Sequence, residues 1–364
     1  MIIFAHLLND RSGSPKVLCS VISSLSKQGD GSRLFVGSDG AGCLNEMSVN
    51  IKRYWYWHAP YRLLTLFTYF FSQLLLFFRL LCARDIERNA LVYVNTLLPF
   101  GAALYGWITR RRVVYHLHEV SISPAPLRWL LTSIARFTAS DLVYVSDFHR
   151  SCLPIGNVSA HTIHNALDSS FLVNADQCRY LHRRDGIFTV LMLASLRDYK
   201  GIPEFMSMAG CLLGRTDFRF ELVCNDDEAA IERYFAHKPV PANVTIFPRT
   251  NRPESHYALA SLVLNLSRPN QCVETFGLTL LEAMAYGVPV IAPPVGGPTE
   301  IITDGVEGYL VSSYEVERIA ELIVSLADDE NKALQLSSNA RSRSKDFTPQ
   351  QFEQRLRQLI GDQV

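Results

Sequence analysis

The stretch Val273–Glu274–Thr275–Phe276–Gly277–Leu278–Thr279–Leu280–Leu281–Glu282–Ala283–Met284–Ala285–Tyr286–Gly287–Val288–Pro289 decides the reading of this chain. Phe276–Gly277 opens a helix, Gly287 closes it, and Val288–Pro289–Val290–Ile291 reads as the strand that follows. Glu274 stands at the lip of that helix and Glu282 in its early turns, eight positions on. The first turn of a helix leaves backbone N–H groups unpaired, and those groups favour anions. With a carboxylate on either side, such a helix mouth suits a ligand that carries phosphate and hydroxyl groups together.

Outward from this stretch, strand and helix patterns alternate. Ile2–His6, Leu34–Val36, Leu91–Val94, Val113–Leu117 and Leu142–Val145 read as strands, with Thr162–Asn165 as the last of the first half. Helices are expected over Val17–Leu25 and Leu127–Phe137. Residues 166–186 show little periodicity and read as an interdomain connection. A second series has strands at Phe188–Leu193, Phe220–Cys224, Val244–Phe247, Leu262–Leu266, Val288–Ala292 and Tyr309–Val311, with a helix at Pro203–Leu213. The helix Val316–Ala327 places Ile319, Leu322, Ile323 and Leu326 on one face, and a last helix begins at Thr348–Pro349. The expected architecture is α/β: two doubly wound, Rossmann-like domains facing across a cleft, because ligands bind beyond the carboxyl ends of such strands. The expected bounds are 1–170 and 187–345, with a C-terminal helix over 346–364 that returns to the first domain.

The 364 residues are 48% hydrophobic and 19% charged, enough for two ordinary cores. A formal net charge of +0 argues against a nucleic-acid partner. None of the eight cysteines forms a C-x-x-C pair and no His/Cys set has zinc spacing, so free thiols in a reducing cytoplasm are expected. Met1–His6 lacks the basic start and long apolar run of a signal peptide and reads as a buried first strand.

Three more segments carry candidate chemistry. Gly13–Ser14 lies in the loop after the first strand, where a glycine lets backbone approach a ligand; an ordinary strand-to-helix turn reads the same way. His118–Glu119 ends the strand Val113–Leu117 at the edge where a doubly wound sheet presents ligand groups, with His116 on the same side of the strand. Arg197 and Lys200 lie between the strand Phe188–Leu193 and Gly201, and a guanidinium and an ammonium both suit phosphoryl oxygens.

These segments resemble retaining glycosyltransferases of family 4, which have the GT-B fold; Glu274 and Glu282 match the family's E-x7-E pattern. The resemblance implies that His118 and Glu274 flank the transferred sugar and that Arg197 and Lys200 grip the donor diphosphate. It further implies that Gly13 approaches that diphosphate, that Thr275, Phe276, Gly277 and Leu278 meet it at the helix mouth, and that Glu282 accepts hydrogen bonds from the ribose. Arg249, in Pro248–Thr250, falls where the family cradles the base. The chain departs from the pattern at Ser14, where a second glycine is usual, and at Ser195, where an arginine is frequent. It has no D-x-D triplet, so transfer without a metal and without a cofactor is expected, fixed cations and a helix dipole taking the metal's place. The donor is expected to be a UDP- or GDP-linked sugar. A nucleotide-sugar epimerase of related fold and a catalytically silent sugar-nucleotide binder are the rival readings.

The segments Asn265–Ser267, Tyr286–Pro289 and Val295–Pro298 look like those of bacterial enzymes that build O-antigen, capsule or exopolysaccharide. That likeness implies a polyprenyl-linked oligosaccharide acceptor at the inner face of the cytoplasmic membrane. The apolar run Leu63–Leu81 bears on this. Thr65, Thr68, Ser72, Gln73 and Arg79 interrupt it, which disfavours a membrane span. It reads either as a core or surface helix of the first domain or as a helix lying on the membrane, with Tyr54–Arg84 facing lipid or acceptor.

Overall fold

The computed structural model describes the whole chain except residues 11, 27–30, 39, 41, 121 and 362–364. The chain divides into two compact units, Met1–Ala166 with Pro349–Val364, and Leu167–Thr348.

The first unit is built on a seven-stranded sheet. Its strands are β1 (Ile2–His6), β2 (Arg33–Gly37), β3 (Asn50–Tyr54), β4 (Leu91–Asn95), β5 (Val113–Leu117), β6 (Asp141–Tyr144) and β7 (Ser159–Thr162). All neighbours pair in parallel, in the order β3-β2-β1-β4-β5-β6-β7. β1, β4 and β5 are buried at every position, as expected for strands covered on both faces. The edge strands differ. β3 reads Asn-Ile-Lys-Arg-Tyr and has no apolar run to announce it, so the sequence patterns miss it. The last strand lies at Ser159–Thr162 rather than Thr162–Asn165; its residues are half-buried or exposed, which is why the more apolar triplet after it misleads.

The C-terminal helix Pro349–Ile360 belongs to this unit and packs on the helix Gly13–Leu25, burying Phe352, Leu356 and Ile360. Its last carbonyls have a side-chain partner. Arg112 donates to Ile360 O at 2.9 Å and Leu359 O at 2.7 Å while paired with Asp141 at 2.8 Å.

The second unit has a six-stranded parallel sheet in the order β10-β9-β8-β11-β12-β13. Its strands are β8 (Phe188–Ala194), β9 (Phe218–Cys224), β10 (Val244–Phe247), β11 (Leu262–Leu264), β12 (Val290–Ala292) and β13 (Gly308–Leu310). The segment expected to be a connection, 166–186, instead holds the helix Ser169–Gln177, started by the Asp168 carboxylate accepting from Ser170 N at 2.8 Å. Only Phe171 and Ala175 are buried on it, too few to give a visible period. The boundary between units therefore falls after Ala166.

In both sheets the chain starts near the middle, winds outward one way, then returns to continue on the other side. The reversals lie between β1 and β4 and between β8 and β11. At such a switch point the loops leaving the two strands diverge and open a crevice. The loops after β8 and β11 carry Arg197, Lys200 and Glu274; in the first unit, the chain after β1 leads to Gly13 at the start of the helix Gly13–Leu25, and β4 ends on Asn95.

Candidate active site

In the second unit the switch point brings Lys200 and Glu274 together. Lys200 Nζ lies 2.5 Å from Glu274 Oε1 and both side chains are about three-quarters buried. Gly201 makes this possible. Its φ is +84°, and a Cβ there would sit 2.1 Å from Leu266 O, so the loop after β8 lies directly against the chain leaving β11. Tyr199 O accepts from Arg268 N at 2.8 Å, and Arg268 pairs with Glu204 at 2.7 Å, fastening the two loops. Ser267 Oγ also donates to Glu274 Oε1, at 3.1 Å. Burial pushes the Glu274 carboxyl up, but the Lys200 ammonium and the Ser267 hydroxyl outweigh burial and hold it below the usual range. Burial likewise lowers Lys200, and Glu274 reverses this and keeps it charged. Burial pushes the neighbouring Cys272 thiol up.

The helix Leu278–Ala285 begins three residues after Glu274's own neighbour Thr275, with Gly277 as its cap at φ +105°. Gly277 has no side chain to cap the helix; its carbonyl takes Leu280 N at 3.0 Å, and the N–H groups of Leu278 and Thr279 stand at the helix mouth, where an anion is favoured. The backbone at 274–276 is clamped from behind. Gly297 N donates to Glu274 O at 2.9 Å. A Cβ on Gly296 would lie 2.4 Å from Glu274 O, and one on Gly297 would lie 2.3 Å from Phe276 Cα. Val295–Pro298 is thus more than a tight turn: its two glycines let one backbone rest on another.

Glu282 lies inside the same helix, 6% exposed, and accepts from the Tyr257 hydroxyl at 2.7 Å. Tyr257 is fully buried among Phe171 and Tyr286, so burial and the adjacent carboxylate drive its hydroxyl far above its ordinary value and keep it a donor. Arg197 and Arg249 are exposed and stand apart from this pair. Arg197 Nη1 donates to Leu196 O at 2.9 Å, and Arg249 Nη2 to Asn225 O at 2.8 Å.

In the first unit the switch point holds a different set. His118 Nε2 lies 2.9 Å from Asn95 Oδ1, and Asn95 Nδ2 donates to Ser14 O at 3.1 Å. A carbonyl only accepts, so the Ser14 contact orients the amide and leaves Oδ1 facing the imidazole. His118 therefore carries its proton on Nε2 and keeps a lone pair on Nδ1. Burial and the neighbouring His116, His149 and His6 hold His118 well below its ordinary value, so the ring is neutral. His116 packs against it, ring centroids 4.4 Å apart and the planes tilted by 39°. Glu119 turns back and accepts from Leu97 N at 3.3 Å and His118 N at 3.2 Å, a backbone role rather than a solvent-facing one. Thr96, between these strands, has φ +73°, a strained conformation for a β-branched residue of the kind that gathers at functional sites. Gly13 is the exposed first residue of its helix.

Sequence reasoning missed Asn95, Ser267 and Tyr257. Asn95 had a visible signal, a polar residue ending an otherwise apolar central strand. Tyr257 had none, because its link to Glu282 exists only once two helices meet. Among the described residues no three His, Cys, Asp or Glu side chains gather as metal ligands.

Two doubly wound parallel units of this kind make up the GT-B fold, and known proteins agree. Over 99% of both chains the structure superposes on HepE of Anabaena in complex with UDP and glucose, with a TM-score of 0.80 and 21% identity. Residues 180–343, nearly all of the second unit, match the family model of glycosyl transferases group 1. The N-acetyl-α-D-glucosaminyl L-malate synthase of Bacillus anthracis is 25% identical over 73% of this chain and 71% of its own. A sucrose synthase of Beta vulgaris is 39% identical over 24% of this chain, a match that spans 12% of that enzyme's length. Together these likenesses show the GT-B fold and a second unit similar to glycosyl transferases group 1.

Proposed function

We propose that this protein transfers a sugar from a nucleoside-diphosphate sugar to a hydroxyl of a glycan or lipid-linked oligosaccharide, with retention of configuration and without a metal. The observation that carries the reading is the Lys200–Glu274 pair at the mouth of the helix Leu278–Ala285. An ammonium has three donors; Glu274 takes one and Cys272 lies within reach of another, which leaves Lys200 able to meet a phosphoryl oxygen beside the N–H groups of Leu278 and Thr279. Charge building on the departing diphosphate then meets a fixed cation and a helix dipole in a half-buried setting, where both act strongly. Arg197, exposed on the same loop, swings onto the diphosphate when the donor arrives.

In the mechanism proposed, the bond from the anomeric carbon to the diphosphate oxygen breaks as the acceptor oxygen bonds on the same face. The acceptor's proton passes to the departing diphosphate. Glu274, held ionised, stabilises positive charge at the anomeric carbon, and Glu282 accepts from the ribose hydroxyls. The neutral His118 offers its Nδ1 lone pair to a sugar hydroxyl. HepE was crystallised with UDP, which favours a uridine nucleotide here as well. We place the protein at the cytoplasmic face of the membrane, in assembly of a surface polysaccharide on a polyprenyl-linked acceptor.

A thermal-shift series of UDP-, GDP- and ADP-sugars on wild type and Glu282→Ala tests the reading. Stabilisation by one base class, lost in the variant, is expected. NMR of the product then reads its anomeric configuration. Donor turnover to a second free sugar nucleotide without an acceptor would replace this reading with epimerisation, and binding without any turnover would replace it with a silent binder.

A further inference from the structure

The helix Arg62–Cys82 is long and apolar enough to cross a membrane, yet only 33% of its most apolar stretch is buried. Its orientation is the reverse of that in an ordinary surface helix. Three of the five polar residues that interrupt the run point inward, while Thr65 is half-buried and Arg79 exposed. Thr68, Ser72 and Gln73 are buried together with Tyr69, Leu76 and Leu80. Each polar group there has a partner. Thr68 Oγ1 donates to Trp57 O at 2.7 Å, Tyr69 Oη to Leu98 O at 2.7 Å, and Gln73 Oε1 accepts from Gly101 N at 3.3 Å. Thr68 and Gln73, two of the interruptions that disfavour a membrane span in the sequence, are thus residues that fix the helix to the unit.

The opposite face is apolar and open. Leu63, Phe67, Phe71, Leu74, Phe78 and Leu81 are 84%, 69%, 45%, 53%, 57% and 42% exposed, and their spacing of three and four puts them on one stripe. Trp55 continues the stripe beyond the helix, its ring 5.7 Å from that of Phe71, and Trp57 and Tyr61 are exposed beside it. Along the segment that carries the stripe the charges have one sign, Glu46 and Asp85 standing just outside it. Residues 47–84 contain Lys52, Arg53, Arg62, Arg79 and Arg84 and no Asp or Glu, in a chain whose formal net charge is +0. Arg62 even sits at the helix N-terminus, where the dipole disfavours a cation. An apolar stripe, interfacial aromatics and basic residues along the same segment match the two halves of an anionic lipid surface: acyl chains below and phosphate above.

We infer that the helix Arg62–Cys82 lies in the plane of an anionic lipid bilayer, its Leu63–Leu81 stripe among the acyl chains and its basic residues on lipid phosphates. It does not span, because spanning would pull Gln73, Ser72 and Thr68 from their partners into hydrocarbon. This deepens the reading of a lipid-linked acceptor proposed above, but its observation is independent of the donor site.

The full-length protein is floated with vesicles of pure phosphatidylcholine and with vesicles containing a third phosphatidylglycerol. Flotation with the anionic vesicles only, released by 0.5 M salt or by carbonate, is expected. Phe67→Ser/Phe71→Ser/Leu74→Ser and, separately, Arg62→Gln/Arg84→Gln should each lower the bound fraction by at least about tenfold. Circular dichroism and a retained thermal shift with the nucleoside diphosphate show that each variant is folded, and keep this test distinct from that of the donor site. Resistance to carbonate extraction would mean that the helix spans, and overturns the in-plane placement. Equal flotation of wild type and the triple-serine variant overturns the inference outright. So does a wild-type dimer by light scattering that becomes monomeric in the variant while neither binds vesicles; the stripe would then be an interface between copies.

Discussion

Lys200 Nζ and Glu274 Oε1 lie 2.5 Å apart although 74 residues separate them in the chain. The pair is set by the approach of Gly201 to Leu266 and holds both groups charged in a half-buried place. Removing one partner leaves the other as a partly buried charge with no counterion. Lys200→Met or Glu274→Gln alone should therefore destabilise the fold by about 1–3 kcal/mol, less than for a fully buried pair. Combining them should restore part of that loss in thermal melts. Sugar transfer should fall at least about a hundredfold in all three proteins, because stability is recoverable and transition-state charge stabilisation is not.

Tyr257 and Glu282 make the second coupled pair, at 2.7 Å. Tyr257→Phe leaves the buried carboxylate with one donor fewer, at a cost of about 1–2 kcal/mol in thermal melts. Nucleoside-diphosphate affinity, read by calorimetry, should weaken about threefold to tenfold in Tyr257→Phe and further in Glu282→Ala.

Gly297 tests the backbone clamp. Its φ is ordinary at −55°, so alanine there adds no torsional strain, but the added Cβ meets Phe276 Cα at 2.3 Å and Thr275 O at 2.4 Å. Gly297→Ala should displace the helix mouth and weaken donor binding at least about tenfold. Gly156→Ala, where nothing lies within 4 Å, is the control and should change stability by less than about 0.5 kcal/mol.

Asn95 is a positioning residue for His118. Asn95→Ala removes the acceptor at His118 Nε2 and the donor to Ser14 O together. Turnover should fall about tenfold to a hundredfold while the KM for the donor changes little. Asn95→Asp places a carboxylate against the ring, which favours imidazolium; the pH–rate profile should then lose activity at a higher pH than wild type does.

The histidines of the first unit make its stability pH-dependent. Burial holds His6 down at about 4 and His116 at about 3, from an ordinary value of 6.5. Below pH 6.5 the unfolded chain takes up protons that the folded chain does not, so stability rises with pH through this window and is complete above it. Each ring accounts for on the order of 3 kcal/mol at the acid end. Urea midpoints between pH 7.5 and pH 4.5 should fall steeply in wild type and less in His116→Asn.

The sequence alone established the alternation of strands and helices and the helix Leu278–Ala285 with its glycine entry, and it singled out Lys200, Glu274, Glu282 and His118 as the candidates on which the proposed function rests. These are local matters: period, turn residues, and the placing of polar groups at strand ends. The edge strand β3 and the helix Ser169–Gln177 escaped it because edges and small buried faces carry little hydrophobic period.

Three things were decided only by tertiary structure. The winding order of the sheets put the loops after β8 and β11 side by side and made Lys200 and Glu274 a pair. Close backbone approach at Gly201 and Gly297 decided where the helix mouth stands. The direction of the helix Arg62–Cys82 was the third. Its composition reads alike whichever face is inward, and the hydrogen bonds that Trp57, Leu98 and Gly101 offer turned its polar residues in and its phenylalanines out. Spacing along a chain sets which side chains share a face; only the partners across the fold determine which way that face looks.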